Sequence, residues 1–415
     1  MIHAHNNSIL IGPFSQVLTM ANLPSHGPLH DADLHVIKDA GILMANGRIL
    51  AIAHFDSLRQ EAAAYIEIDF PAVALPGYID AHTHLCWAGA RYEDYARRLE
   101  GLTYREIAAQ GGGILDTVRH TRQASQVTLE QELLKRCTLL QSQGVTTCEV
   151  KSGYGLTVSD EIKILQAIRQ ANLKQTVELI PTCLAAHVCP APFTNPTEYL
   201  TYLESQLFPV LLQEQLTKRM DIFIDEGFFT VEEARGYLQH AQAQGFQIAI
   251  HADQFSRGGA ALAAELKALS ADHLEMSTLE DFQNMQKNDV IPIVLPGCSL
   301  GMGRPMAPAR QMLDCGLSLV MASDWNPGTA PMGYLLLQAA VMGMAQHLTM
   351  AETLAAITVR AARALQLTDR GQLSSGMRCD CAIYPCRDFR EILYHQGSLK
   401  PARVLTAKQF GVKNE

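Results

Sequence analysis

Two histidines one residue apart, His82 and His84, close the segment YIDAHTH that runs from Tyr78 to His84. In a β-strand, residues i and i+2 project to the same face, so both imidazoles can reach one metal ion. An HxH pair alone also occurs as two solvated loop histidines. The other strand candidates shift the balance. His187 ends VELIPTCLAAH, His251 closes QIAIHA but for one residue, His273 lies in SADHLE, and Asp324 ends LSLVMASD. Core histidines would be scattered along strand interiors, whereas these five imidazoles and one carboxylate all stand at strand ends. Nitrogen and oxygen ligands with an open position for water suit a catalytic zinc. Such a metal lowers the pKa of water to about 7 and supplies a nucleophile at neutral pH.

The elements that must position these groups alternate along the chain. Short apolar runs rich in β-branched residues are separated by longer helical patterns, the rhythm of βα units on a parallel sheet. Eight strand candidates can be counted: 78–84, 145–150, 177–187, 221–226, 247–252, 270–275, 291–296 and 317–324. The sixth is short and polar. Helical patterns such as Thr128 to Gly144 and Thr230 to Gly245 end on glycine, which fits a C-terminal cap. Eight such units predict an α/β fold, a (β/α)8 TIM-type barrel, with active-site groups at the C-terminal ends of the strands. A doubly wound open sheet is the alternative. It would need a Gly-rich turn after the first strand, and Gly111 to Gly113 does not follow a strand in that way.

The chain ends read differently. GILMANGRILAIA, Gly41 to Ala53, contains an Asn-Gly hairpin signal, and GQLSSGMRCDCAIYP from Gly371 is another turn-rich β pattern. Residues 1–72 and 371–415 are expected to combine into one small β-sandwich domain beside a barrel of residues 73–370.

PGYIDAHTH, HAD, SADH and ASDWNPG, in this order, resemble the amidohydrolase superfamily. The blocks GAR, KSGYGL and NPG, within a likeness running from about Leu75 to Pro331, are similar to the imidazolonepropionase family in particular. That resemblance implies a metal-dependent hydrolase of cyclic amide C–N bonds, opening 4-imidazolone-5-propanoate to N-formimidoyl-L-glutamate in histidine degradation. It implies one divalent or trivalent ion per subunit, zinc or iron, held by His82, His84, His251 and Asp324. It implies substrate contacts from Arg91, Tyr154, His187, Gln254, Asn326, Gly328 and Thr329. His273 matches the strand-six histidine near the reacting water or carbonyl. Many amidohydrolases carry Glu where this chain has Gln254, and an amide cannot shuttle a proton. Proton transfer is therefore assigned to Asp324, with His273 assisting.

Other residues have plainer readings. Lys151 stands where two-metal relatives place a modified lysine, but the resemblance is to one-metal enzymes. Asp80 either orients a ligand histidine or is structural. Arg97 and Arg98 read as a solvated helix face. Met302, Met306 and Met312 read as lid or core packing. Gly111 to Gly113 is an anion cradle or a flexible loop.

The 415-residue chain has a formal net charge of -9 and no basic run, which argues against nucleic-acid binding. No apolar run reaches about 18 residues, so no membrane span is expected. Residues 1–20 lack the pattern of a signal peptide. Ten scattered cysteines without paired zinc-ribbon spacing read as reduced thiols. Together these point to a cytoplasmic protein with a small anionic substrate, and the family resemblance is compatible with a homodimer. Two rival functions stay open: an amidohydrolase acting on a different ring, and an amidohydrolase-like protein without catalysis.

Overall fold

The computed structural model describes residues 7–412; residues 1–6 and 413–415, the extreme ends of the two small-domain stretches, lie outside it. The N-terminal stretch supplies β1 (Ser8–Leu18), β2 (Val36–Ala45), β3 (Arg48–His54), β4 (Ala64–Glu67) and β5 (Val73–Pro76). Asn46 and Gly47 join β2 to β3 with φ of 50° and 72°. Positive φ at both central residues is what a tight type I′ hairpin demands.

The barrel follows as β6 (Tyr78–Asp80), β7 (Val145–Lys151), β8 (Glu178–Ala186), β9 (Arg219–Ile224), β10 (Gln247–Ala252), β11 (Ser270–His273), β12 (Ile291–Val294) and β13 (Val320–Met321). They form one eight-stranded parallel sheet in sequential order. The short polar sixth segment is a true strand, paired to both neighbours. The first and last segments meet through Asp324 N–H to the His82 carbonyl and His84 N–H to the Trp325 carbonyl, each 3.0 Å. Asp80 Oδ1 also accepts from Ser323 N at 2.9 Å. The ring of strands is therefore closed at the C-terminal ends of its strands, and the open-sheet alternative falls.

The helices between strands start and stop where local chemistry allows. Thr230 caps Val231–Ala243, and Glu233 completes the reciprocal capping box. Gly144 and Gly245 follow their helices with φ of 95° and 91°. Leu133, Leu140, Ile164 and Ile168 on the outer helices are fully buried. Each such side chain contributes roughly 1.5–3 kcal/mol of burial.

β14 (Cys381–Tyr384) and β15 (Arg403–Leu405) return the chain to the first sheet. The order there is β15-β14-β5-β1-β2-β3, with β4 also on β1. Both chain ends thus share one seven-stranded mixed sheet. β5 pairs with β1 and β14, so by its hydrogen bonds it belongs to this sheet, although its residues fall inside the 73–370 stretch. Among the described residues, no helix is long and apolar enough to cross a membrane. All ten cysteine thiols are free.

Candidate metal centre and active site

His82 and His84 lie just beyond the end of β6, not within it. Their orientation comes from the residue between them. Thr83 N donates to Glu149 Oε2 at 3.1 Å, Thr83 Oγ1 donates to the Glu149 carbonyl at 2.6 Å, and Lys151 N donates to the Thr83 carbonyl at 2.9 Å. Thr83 is pinned to β7, which leaves its two neighbours to turn into the barrel.

Ring nitrogens of His82, His84 and His251 lie within 4.8 Å of one another, all buried. His84 Nε2 is 3.4 Å from His251 Nε2. Asp324 Oδ1 is 3.2 Å from His84 Nε2 and 3.5 Å from His82 Nε2. Asp324 is held there with φ of 51°, a left-handed conformation uncommon for a residue with a side chain.

The far sides of two rings are backed by carboxylates. His82 Nδ1 lies 2.5 Å from Asp272 Oδ2, and His251 Nδ1 lies 3.0 Å from Asp221 Oδ2. The His82 contact is a hydrogen bond, and an ionised carboxylate only accepts, so His82 Nδ1 carries the hydrogen and its Nε2 presents a lone pair. His251 Nδ1 faces Asp221 at ion-pair distance without hydrogen-bond geometry. His82 Nε2 is buried without a hydrogen-bond partner. The His82 Nε2 lone pair and the Asp324 carboxylate, 3.5 Å apart, repel unless a cation sits between them, and Nε2 of His84 and His251 stand at 3.2–3.4 Å in the same cluster. Ligands at about 2.0–2.1 Å in a tetrahedron stand roughly 3.4 Å apart, so these separations suit such an ion.

Electrostatics agree. Burial lowers the pKa of His84, and it lowers His251 to about 3, leaving both rings neutral as ligands must be. At His82 burial opposes the proton, but Asp272 and Asp324 outweigh it and raise the pKa. The surroundings of His82 thus favour a positive charge, from a proton or a metal. Burial likewise opposes ionisation of Asp324, yet His82 and His84 hold it well below the usual carboxylate range.

A cavity of about 60 Å3 adjoins this cluster, lined by His84, His251 and Asp324 together with Tyr154, His187, Gln254, His273, Asn326 and Thr329. His187 Nδ1 donates to the Gly153 carbonyl at 3.1 Å, and burial keeps its pKa well below the ordinary imidazole value. A neutral ring donating from Nδ1 leaves Nε2 as an acceptor. His273 has φ of 82°. Burial opposes its protonation, but Cys298 and Glu275 outweigh burial and raise its pKa well above the ordinary imidazole value. Gln254 Nε2 lies 3.1 Å from Cys298 Sγ.

Two of the expected contacts sit elsewhere. Arg91 and Gly328 line a larger neighbouring cavity of about 1210 Å3. They touch each other, and a Cβ on Gly328 would overlap the Arg91 guanidinium. Asn326 reaches the small cavity, but its amide is engaged within its own loop. Its Oδ1 accepts from Gly328 N and Thr329 N, both at 2.8 Å, and its Nδ2 donates to the Asp324 carbonyl at 2.7 Å.

The structure decides between the plainer readings and corrects that of Arg98. Asp80 belongs to the barrel seam, where burial pushes its carboxyl up to about 7; the partner of His82 is Asp272. Arg98 is not on a solvated face. It donates to the Gly301 carbonyl at 3.2 Å and the Gly328 carbonyl at 2.7 Å, while Arg97 is half-buried. The glycine run holds an internal anion, since Gly113 N donates to Asp94 Oδ2 at 2.9 Å and Asp94 also takes Arg91 Nε at 2.8 Å. Met312 is fully buried, and Met302 and Met306 pack against core residues. Sequence reasoning missed Asp221, Asp272, Glu275 and Cys298. Asp221 opens the DIFIDE segment and Asp272 adjoins His273, so a carboxylate within or beside a histidine-bearing strand was the available signal.

Residues 107–393 match the model of the amidohydrolase family. The chain is 39% identical over 388 residues to the imidazolonepropionase of Deinococcus radiodurans, covering 92% of this chain and 96% of that one. It is 38% identical over 407 residues to the imidazolonepropionase of Symbiobacterium thermophilum, covering 96% and 95%. The chain belongs to the imidazolonepropionase family. The fold likeness reaches further: a zinc-bound adenosine deaminase from Xanthomonas campestris superposes with a TM-score of 0.70 at 15% identity, over 97% of this chain and 92% of that one. The barrel fold is therefore shared with a protein of low sequence identity.

Proposed function

We propose that this protein hydrolyses 4-imidazolone-5-propanoate to N-formimidoyl-L-glutamate. The observation that carries the reading is the convergence of His82, His84, His251 and Asp324 in a chain alike over nearly its whole length to imidazolonepropionases. Those four residues would hold one ion per subunit, zinc or iron, since the nitrogen and oxygen set accepts either. When bound, such an ion lowers the pKa of water to about 7 and acts as a Lewis acid.

The chain's own residues supply the rest. Asp324 takes a proton as water adds its oxygen to the ring carbonyl carbon. The C–N bond of the cyclic amide then breaks, its electron pair goes to nitrogen, and Asp324 returns the proton there. His273 donates to the carbonyl oxygen as charge develops on it. Tyr154, His187, Gln254 and Thr329 orient the ring, and Asn326 shapes the loop that presents Thr329. Arg91 receives the propanoate tail, with Gly328 giving its guanidinium room. Ten free thiols support a reducing, cytoplasmic setting.

The rival within the superfamily is the same centre acting on another ring. Purified protein assayed with 4-imidazolone-5-propanoate, cytosine and guanine separates the two. Turnover of a base without turnover of the imidazolone removes the proposed reaction.

Two variants test the substrate contacts. Arg91→Ala should mainly raise KM, because a grip on the tail acts in ground and transition states alike. A charge-assisted hydrogen bond is worth roughly 1.5–3 kcal/mol, so kcat/KM should fall about ten- to a hundredfold. Arg91→Lys should recover part, and Gly328→Ala should move KM in the same direction as Arg91→Ala. Steady-state kinetics with Arg91→Ala unchanged in both parameters would take Arg91 out of the site. Gln254→Ala should weaken binding and leave the shape of the pH–rate profile intact; a missing or displaced limb would show that Gln254 governs proton transfer.

A further inference from the structure

Behind the imidazoles lies a second, fully buried layer of charge. Lys151 Nζ is 2.8 Å from Asp221 Oδ2, 2.9 Å from Glu149 Oε1 and 3.8 Å from Asp272 Oδ2. All four side chains are at most 1% exposed. Asp221 Oδ2 and Asp272 Oδ2 are the same oxygens that face His251 Nδ1 and His82 Nδ1. One ammonium therefore stands between the two carboxylates that back two of the three imidazoles.

We propose that Lys151 is a positioning residue of the metal centre, holding Asp221 and Asp272 in place behind His251 and His82 so that both rings stay turned with Nε2 toward the ion. This rests on the ligand set given above. Three features point to it. The geometry is direct, with the same carboxylate oxygens shared between the ammonium and the rings. The charge balance favours it: Glu149, Asp221 and Asp272 bring three carboxylates into one dry region, and Arg219 is a further cation whose field reaches all three. Burial opposes the Lys151 charge, yet these carboxylates outweigh it and raise its pKa, so the ammonium is a permanent part of the layer. A lysine gripped on two sides in this way is already committed to the carboxylates.

The test uses the full chain and the metal alone as probe. Zinc, and anaerobically iron(II), are titrated against a chromophoric chelator for the wild type, Lys151→Gln, Lys151→Arg, Glu149→Gln and the pair Glu149→Gln/Lys151→Gln. Loss of a group that orients ligands typically weakens metal binding about 10–100-fold, and Lys151→Gln should show that loss. Lys151→Arg should recover part of it. The pair is charge-balanced and keeps Asp221 and Asp272, so it carries the test if Lys151→Gln does not fold; it should bind at least as weakly as Lys151→Gln. Glu149 Oε2 also accepts from Thr83 N, between His82 and His84, so Glu149→Gln alone is the reference for the pair: adding Lys151→Gln to it should weaken binding by a further factor of about 10–100. Melting of the metal-free proteins separates the purely structural role: if Lys151→Gln melts lower but binds metal as tightly as wild type, or the pair as tightly as Glu149→Gln, the proposal is overturned. If the wild type itself binds neither metal, the ligand set falls instead.

Discussion

Replacing Asp324 by asparagine should lower kcat by about 10²–10⁴-fold, the range of a lost acid–base group. Asparagine keeps the shape and one oxygen but neither the charge nor the capacity to carry a proton. The carboxylate is buried, sits 3.2 Å from His84 Nε2 and 3.5 Å from His82 Nε2, and is kept ionised by both. Its backbone is tied to the first strand through the His82 carbonyl, so the substitution should not move the loop. Asp324→Ala removes the last oxygen as well and should lower metal content along with turnover. His251→Ala should do the same, for it removes a ligand outright. Elemental analysis and single-turnover kinetics on the same preparations decide the matter. Near-wild-type values in both for any of these variants would show that the ligand assignment is wrong.

The second large effect is expected at His273. His273→Ala should cost about 10²–10³-fold in kcat, the usual loss when one donor to a developing oxyanion is removed. Its ring centroid lies 5.4 Å from that of His251 and 5.9 Å from that of His82, close to the centre but outside the four-ligand set. Glu275 Oε2 is 3.8 Å from His273 Nδ1, and Cys298 touches the same ring. Metal content should therefore stay at the wild-type level while kcat falls, which is the opposite pairing to His251→Ala. His273→Gln should retain part of the rate through its N–H donors. If metal and activity fell together in His273→Ala, the residue would be a ligand; if kcat held, it would have no part in the chemistry.

Much of this site is legible in the chain because strand ends mark themselves. A βα rhythm with glycine stops after Thr128 to Gly144 and Thr230 to Gly245 predicts the barrel, and the barrel assembles His82, His84, His187, His251, His273 and Asp324 at one end. The asparagine-glycine pair at 46 and 47 similarly announces its hairpin, since few other residues take positive φ twice in succession.

What the residues alone determined is thus the inventory of imidazoles and carboxylates and the periodicity that brings them to one mouth. Only the tertiary structure decided which groups touch. Asp272 meets His82 from 190 residues away, and no local pattern encodes that pairing. Strand alternation would send Asp272 and His273 to opposite faces, yet φ of 82° at His273 and 71° at Leu274 bends the chain so that both serve the centre. The same holds for Arg98, which reads as a surface residue until Gly301 and Gly328 come to meet it, and for the glycine run that grips Asp94. Periodicity reports the environment of a residue's near neighbours along the chain. Contacts between strand ends depend on the register and closure of the whole barrel, which are set by all eight strands together.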